Sequence, residues 1–479
     1  MEHMPFPSKE NLRILITWWL AGYGTLLWAQ WRSRRAAGLP LAYATALSMI
    51  HLAGACVYAV ENYQPRSAIL TQSQYSLLNT FTGFYVSVIG FWSFIIGSLL
   101  CPLLFNKVPP KVLKRPVPQV TTDLPVTLLL ISLLFFFVMR PIMNRIPSFA
   151  SIASSGTYMS VVAVTLIIYQ AYIARNYAKV LKWFGATFVF PTVTIVTMGF
   201  AGFGTIAAAI TWTFVIRFFR PRWLSVTVFG LLVYIGMSLY VNYMRERDSI
   251  RESVWGGREL SSRIDRVSKM IENFEWFSTA NQRHLEMVDM RLNQNDIVGK
   301  AVIYIESGRV PLAEGGTLAA AALAWIPRIL WPDKPATGGS GSIVSRFTGM
   351  KFAEGTSVGV GQVLEFYVNW KLPSVVGCFL VLGLVLTWID QKAGTFMQQG
   401  DLWNTARWMV PGLGMLQAGG SSTEMVSSVA GGVVFMWALH HYVFKRFYED
   451  ALAAPRQLYN TDVRLPRGSR VQRQSFHSR

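Results

Sequence analysis

Residues 81–105, FTGFYVSVIGFWSFIIGSLLCPLLF, run for 25 positions without a charged side chain and decide the fold class. An apolar run of about 18 or more residues crosses a hydrocarbon core of roughly 30 Å as an α-helix. Similar runs recur along the 479-residue chain, which is 52% hydrophobic and only 14% charged, whereas soluble domains carry about 25% charged residues. The sequence therefore predicts an all-α polytopic membrane protein. It excludes a soluble enzyme, a disulfide-rich secreted scaffold and a disordered chain.

These runs predict about eleven membrane spans. The fourth is short, and the tenth is interrupted by Pro411 and several glycines, so either can be tilted, broken or re-entrant where protein covers its backbone. The predicted spans are 12–31, 41–60, 81–105, 124–139, 155–174, 180–198, 203–219, 223–243, 372–389, 404–420 and 426–444.

Lys and Arg residues gather on alternate loops. One set of loops and the C-terminal tail together hold 22 of them, whereas the opposite short loops hold four. Cytoplasmic loops of membrane proteins carry the excess of Lys and Arg, so the rich set is predicted to be cytoplasmic. This orientation places the N-terminus outside the cytoplasm and the C-terminus inside. Most of the formal net charge of +19 then sets orientation, and no nucleic-acid partner is expected.

The chain divides into four parts on this reading: an N-terminal bundle of about eight spans at 1–243, a polar segment at 244–371, further spans at 372–444, and a basic cytoplasmic tail at 445–479. The polar segment carries 16 Lys and Arg against 15 Asp and Glu, and the topology places it outside the cytoplasm. A connection this long in a compact protein is usually functional. We therefore look for the candidate site there.

The polar segment is predicted to be partly helical. Apolar residues recur at intervals of 4, 3, 4 and 3 from Leu260 to Phe274, and a second helical pattern runs through Leu285, Val288 and Leu292. After about residue 311, Gly, Pro and aromatic residues predict ordered irregular structure.

Other patterns predict packing or exclude chemistry. Gly83, Gly90 and Gly97 recur every seven residues in the third span, which favours close helix packing. The sequence contains no GxxxxGK[ST], no HExxH and no GxSxG motif, so nucleotide, zinc and serine-hydrolase sites are not supported. No metal or cofactor is expected.

Residues 326–335, IPRILWPDKP, form the first candidate motif. Three prolines stiffen a segment that displays Arg328, Trp331, Asp333 and Lys334. A planar guanidinium suits a pyrophosphate, lysine adds a point charge, and an aromatic ring can stack on a sugar. The alternative is a salt-bridged structural turn with Trp331 at the membrane interface.

Residues 361–370, GQVLEFYVNW, form the second motif, immediately before the ninth span. A carboxylate at a membrane border is a functional candidate because its desolvation is expensive. The alternative is that the carboxylates only pair with neighbouring arginines. Candidate residues of this motif and of the upstream piece are Glu365, Tyr367, Asn369, Arg291, Glu306 and Arg309.

The order IPRILWPDKP, a Gly/Ser-rich loop, Thr356-Ser357 and GQVLEFYVNW before an apolar span resembles the Wzy-type oligosaccharide repeat-unit polymerases of bacterial O-antigen and exopolysaccharide assembly. The resemblance is specific over about 291–385; elsewhere it rests on the many spans and one large late periplasmic loop. The chain lacks the glycine-rich, histidine-containing loop of the related O-antigen ligases, which disfavours a ligase.

The resemblance implies a metal-independent glycosyltransferase in the bacterial inner membrane, working on polyprenyl-pyrophosphate-linked oligosaccharide at the periplasmic face. It implies that Arg328 and Arg291 neutralise the leaving pyrophosphate with help from Lys334, and that Glu365 is the base, with Glu306 and Asp333 in reserve. Trp331, Tyr367 and Asn369 would position sugar, with Arg309 nearby. A chain-length regulator or export machinery is a possible partner, and a transporter, a flippase or a non-catalytic export scaffold is the alternative.

Overall fold

The computed structural model describes residues 5–33, 35–105, 123–143, 149–257, 259–326, 331, 340–352 and 358–445. These residues form helices joined by turns and irregular segments, and no β-strand occurs among them. The prediction of an all-α protein is confirmed.

The helices differ widely in length, from five residues to 37. In chain order they are α1 Lys9–Arg32, α2 Leu39–Ala59, α3 Ala68–Gln72, α4 Leu77–Phe105, α5 Leu124–Met143, α6 Ala150–Ile173, α7 Tyr177–Ala186, α8 Val189–Met198, α9 Gly202–Phe218, α10 Arg222–Trp255, α11 Leu260–Glu272, α12 Gln282–Leu292, α13 Gln294–Glu306, α14 Gly316–Ala322, α15 Ser340–Thr348, α16 Gln362–Gln398, α17 Leu402–Gly414 and α18 Ser422–Phe444.

Eight helical stretches within the described part of the chain are long and apolar enough to cross a membrane. They are α2, α4, α5, α6, the pair α7–α8, α10, α16 and α18, and they coincide with eight of the predicted spans. The other three predicted spans also contain helix, but α9 is only 17 residues long, α17 ends at Gly414, and α1 carries charged residues at both ends. The membrane character of the chain is thus clear from its helices.

The glycine stripe of α4 packs as the sequence predicts. A Cβ atom at Gly90 would collide with the ring of Phe379, and one at Gly97 would collide with the backbone carbonyl of Leu380. The close approach of α4 to α16 therefore requires glycine at these positions. Phe94 meets Gly383 in the same seam, so the small residues come from both helices.

The polar segment is more helical than its sequence suggests. Helices α11 and α12 confirm the two predicted patterns. The expectation of irregular structure after residue 311 is wrong in part, because α14, α15 and the start of α16 are helical. The boundary at residue 243 falls inside α10, which continues as one helix to Trp255.

A buried carboxylate joins α16 to the start of α2. Asp390 Oδ1 accepts hydrogen bonds from the backbone N–H groups of Ala37, Gly38 and Leu39 at 3.0, 2.6 and 2.8 Å. The first N–H groups of a helix have no partner within that helix, and the positive helix end favours an anion. Asp390 therefore caps α2 from a distant part of the chain.

Candidate functional site

Helices α12 and α13 are joined through the single residue Asn293, and α12 packs against α2 while α13 packs against α4 and α2. We call this bent pair of helices the hairpin. The chain turns at Asn293, and three glycines allow the backbones to touch. A Cβ at Gly54 would collide with Asn293, one at Gly83 with the carbonyl of Asn295, and one at Gly299 with the carbonyl of Asn79. The predicted polar segment thus contributes a hairpin to the protein interior.

Polar side chains hold the tip of this hairpin. Asn295 is fully buried; its Nδ2 donates to the carbonyl of His51 at 2.7 Å, and its Oδ1 lies 2.7 Å from His51 Nδ1. Ser87 of α4 lies 3.1 Å from the same His51 nitrogen. His51 and Ser87 are interior residues of α2 and α4. Asn295 therefore lies between these two helices, well away from their ends.

The carboxylates of the hairpin bind the connection between α2 and α4. Asp289 accepts a hydrogen bond of 2.5 Å from the Tyr63 hydroxyl, and Glu286 accepts one of 2.8 Å from the Arg66 backbone N–H. Asp296 accepts from the Asn79 side chain at 3.2 Å and is paired with Lys300. Burial raises the pKa of Asp289 to about 6 and also raises the pKa of Asp296.

Helix α16 is broken at Trp370 and Lys371, whose backbone angles are not helical. The ring centroids of Phe366 and Phe379 lie 5.1 Å apart. In a continuous helix these residues would be about 20 Å apart along the axis. The chain therefore folds back, and the arm 362–369 packs against the arm 372–398.

The starts of three helices meet at the end of the arm 362–369 that lies away from this break. Gln294, at the start of α13, donates from Nε2 to the carbonyl of Gly359 at 3.1 Å. The backbone N–H groups of Gly361 and Gln362 donate at 3.1 Å to the carbonyls of Gly419 and Ala418, just before α18. We call this meeting of α13, α16 and α18 the helix-start junction.

Glu365 lies in this junction and is fully buried. Its Oε2 accepts a hydrogen bond of 2.5 Å from the backbone N–H of Ser422, in the first turn of α18. Its Oε1 has no hydrogen-bond partner among the described residues, and the same holds for the Ser422 hydroxyl. A buried carboxylate that has one oxygen held and the other without a hydrogen-bond partner is a candidate proton acceptor.

A second polar group lies around Glu306. The Tyr367 hydroxyl donates to Glu306 Oε1 at 3.0 Å, and Lys371 Nζ lies 2.9 Å from the same oxygen. Partial burial favours the neutral acid, but the hydrogen bonds from Lys371 and Tyr367 outweigh it and lower the pKa of Glu306. Glu306 is therefore an ionised partner of these two side chains at neutral pH.

Asn369 joins the arm 362–369 to the start of α14. Its Nδ2 donates to the carbonyl of Glu365 at 2.7 Å and to the Thr317 hydroxyl at 2.8 Å, and its Oδ1 accepts from the Gly315 N–H at 3.0 Å. Asn369 is fully buried, so these bonds make it a structural tie between the arm 362–369 and the start of α14.

The other predicted site residues fall in several places. Arg309 is exposed and lies over the Tyr304 ring, 5.6 Å from its centroid, and Trp331 is partly buried. Arg291 is exposed and acts electrostatically on Tyr75 and Tyr240; no contact found in the described chain joins it to Glu365. Arg328, Asp333 and Lys334 lie outside the described residues.

An apolar groove of about 620 Å³ adjoins the junction. Its walls are the two arms of α16, with Phe366, Trp370, Gly377 and Cys378, closed by Met415 and Met425. In the part of the chain that can be described, no group of three or more His, Cys, Asp or Glu residues is arranged to hold a metal ion.

Sequence reasoning missed His51 of α2, the hairpin residues Asp289, Asn295 and Asp296, and also Ser422. The run NQND at 293–296 resembles an exposed turn because all four residues are polar. A histidine inside the second predicted span was the available signal, since an ionisable residue within a span needs a partner.

Together these features describe an all-helical membrane protein with a buried polar junction beside an apolar groove. The chain belongs to the family described as a domain of unknown function (DUF8712), whose model matches residues 42–447. No curated protein and no solved structure matches the chain.

Proposed function

We propose that this protein polymerises polyprenyl-pyrophosphate-linked oligosaccharide repeat units at the periplasmic face of the bacterial inner membrane. A hydroxyl of one repeat attacks C1 of the sugar on a second, lipid-linked repeat. A new C1–O glycosidic bond forms, the bond from C1 to the pyrophosphate breaks, and the lipid pyrophosphate leaves with the electron pair. The proposal includes eleven spans, a periplasmic N-terminus and segment 244–371, and a cytoplasmic C-terminus.

The observation that carries the proposal is the position of Glu365. It is fully buried, one of its oxygens is held by the Ser422 N–H, and the other has no partner among the described residues. In the proposed reaction this free oxygen takes the proton of the attacking hydroxyl. General bases positioned in this way contribute about 10²–10⁴-fold to a rate.

Electrostatic support for the leaving pyrophosphate comes from two sources in this proposal. The first is the junction, because the positive ends of helix dipoles favour negative charge. The second is the cations of the motif 326–335, Arg328 and Lys334. Arg291 is exposed, and we assign it to the same pyrophosphate charge.

The acceptor sugar is assigned to the group around Glu306. The Tyr367 phenol and the Lys371 ammonium group both lie within 3.0 Å of Glu306 Oε1. These three side chains offer several hydrogen-bonding partners for sugar hydroxyls. Tyr367 reaches this group from the arm that also carries Glu365. We also assign Trp331 and Arg309 to the binding of the sugar.

Glu365→Gln tests the assignment, because glutamine keeps the shape of the side chain and cannot take the proton. In membranes carrying the variant, polymer on the lipid carrier should fall by about 100-fold or more while the amount of protein stays normal. Glu272→Gln, which changes an exposed carboxylate at the end of α11, is the matched control and should retain full polymer. Polymer of normal length and amount from Glu365→Gln would exclude Glu365 as the base.

A transporter or flippase is the second candidate, and one observation favours it. His51, Asp289 and Asp296 are buried ionisable groups around a hairpin tip, and broken helices with buried charges are typical of transporters. A flippase mutant would trap single lipid-linked repeats on the cytoplasmic side, whereas a polymerase mutant would accumulate them on the periplasmic side. Long lipid-linked polymer that is made and not exported would point to an export scaffold.

A further inference from the structure

Helix α10 is longer than the hydrocarbon core that it crosses. Its 34 residues make a rod of about 51 Å, against a core of roughly 30 Å. Residues 223–244 carry no charged side chain, and this uncharged stretch alone is about 33 Å long. Tyr234 lies near the middle of the stretch, and its side chain is 43% exposed. The part of α10 that begins at Arg245 therefore continues beyond the span.

The connection from α11 to α12 runs back along this span. Arg245 Nη2 donates to the carbonyl of Asn273 at 2.6 Å, and the Tyr234 hydroxyl donates to the carbonyl of Phe277 at 3.3 Å. Residues 273–277, which we call the returning segment, thus lie along the part of α10 between these two side chains, about 17 Å of helix. A segment that reaches the middle of a span lies at the depth of that span, although its sequence belongs to the polar segment.

Side chains inside the span bind the backbone of the returning segment. Asn242 Nδ2 donates to the carbonyl of Glu275 at 2.7 Å, and Asn242 Oδ1 accepts from the Glu275 N–H at 3.0 Å. The Ser238 hydroxyl accepts from the Phe277 N–H at 3.0 Å. Both Asn242 and Ser238 are buried. Irregular backbone at membrane depth is tolerated only where the protein supplies the hydrogen bonds that water cannot, and these two polar residues of the span supply them.

The side chains of the returning segment separate into apolar rings and a charge. Trp276 is 58% exposed and stacks on the Tyr234 ring, with centroids 5.7 Å apart and planes 1° apart. The Phe274 ring stands edge-on to Trp276 at 5.1 Å. Glu275, between the two rings, turns instead to the charged end of the span, where it accepts from Arg245 Nη1 at 2.7 Å. The rings therefore extend the exposed face of the span, and the carboxylate stays at its polar end.

We infer that the returning segment is inserted into the bilayer, where Phe274 and Trp276 contact lipid acyl chains. The bilayer is the occupant of this surface because whatever covers the exposed middle of a span also covers a ring that is stacked on it. Indole rings are common where membrane hydrocarbon meets the headgroups. The insertion anchors the polar segment to the membrane beside α10, and it does not depend on the reaction that the protein carries out.

Photolabelling of the unmodified protein tests the insertion. The full-length protein is placed in nanodiscs of phosphatidylcholine that carries a diazirine in one acyl chain, irradiated, and digested with trypsin. The peptide 270–283 contains the returning segment, 223–245 contains the span, and 301–309 ends in exposed polar residues. Adducts on Phe274 or Trp276 should make 270–283 comparable with 223–245 and about fivefold or more above 301–309, since polar groups avoid the hydrocarbon. Equally low yields on 270–283 and 301–309, whether water or a partner protein covers the rings, would overturn the inference.

Asn242→Leu tests how the segment is held in the bilayer. Leucine keeps this position of the span apolar and removes both bonds to the Glu275 backbone, so the adduct yield on 270–283 should fall about fivefold or more while the yield on 223–245 is unchanged. Thr227→Val, which removes an exposed hydroxyl bonded within α10, is the control and should label as wild type does. Wild-type labelling of Asn242→Leu would contradict the role of Asn242, and the unmodified protein decides the insertion even if this variant does not fold.

Discussion

Asp289 makes the stability of the α12–α13 hairpin depend on pH. It is fully buried between α2, α4 and its own hairpin, where it accepts hydrogen bonds from Tyr63 and Asn293. Burial raises its pKa from 3.8 to about 6, and the nearby charge of Asp296 adds to the effect, whereas the two hydrogen bonds oppose it. Its charged form is thus less stable in the folded protein than in the unfolded chain.

The size and the sign of the effect follow from this shift. A rise of about two pKa units corresponds to about 3 kcal/mol of differential stability, since one unit is worth about 1.4 kcal/mol. Because the folded state binds the proton more tightly, the contribution is fully present below about pH 4 and is lost as the pH rises through about 6. The folded protein should therefore lose about 3 kcal/mol from this residue between pH 4 and pH 7.

Asp289→Asn removes the titration and keeps an oxygen that can accept the Tyr63 hydroxyl. The assay is the free energy of unfolding of the detergent-solubilised protein at several pH values between 4 and 7.5, for wild type and variant in parallel. The difference between the two should change by about 3 kcal/mol across that range, with the variant gaining relative stability at neutral pH. Parallel profiles would refute the reasoning, and Glu272→Gln should show no such difference.

Three further predictions concern packing and ion pairs. Gly83→Leu should destabilise the protein by about 1–3 kcal/mol or prevent docking of the hairpin, whereas Gly24→Leu, at an open position, should melt as wild type does. Asp390→Asn weakens three bonds to the start of α2 and should lower the free energy of unfolding by about 1.5–3 kcal/mol; an unchanged melting temperature would contradict the cap. Lys371→Met should raise the pKa of Glu306, measurable by titration of the labelled carboxyl carbon, but change stability by less than about 1 kcal/mol because the lysine is almost half exposed.

Regular patterns in the sequence were enough to predict where the helices lie. Span positions follow from apolar runs, and the seven-residue glycine stripe of α4 predicts close helix packing, because small residues let helices approach each other. The sequence does not name the partner helices. The amphipathic spacing from Leu260 likewise predicts α11. These features are local, so a single chain carries the whole signal.

The buried junction depends on contacts that no local pattern contains. Glu365 is a predicted candidate because a carboxylate next to a span is costly, but its partner Ser422 lies 57 residues away and is reached only because α16 reverses at Trp370. In the sequence, Asn295 resembles part of a solvated turn. Its partner His51 lies 244 residues away in the chain, so no local pattern indicates that Asn295 is bound. The assignment of Arg291 to the reacting centre depends on resemblance alone, and no contact among the described residues joins it to Glu365.

The most direct test of the proposed function is reconstitution of the reaction. Lipid-linked single repeats are extracted from a strain that lacks the gene and are mixed with the purified full-length protein in liposomes, and the products are separated by length. The account predicts a ladder of longer lipid-linked glycans with release of polyprenyl pyrophosphate, and no ladder with Glu365→Gln. Single repeats that cross the bilayer without growing in length, or that remain unchanged, would contradict it.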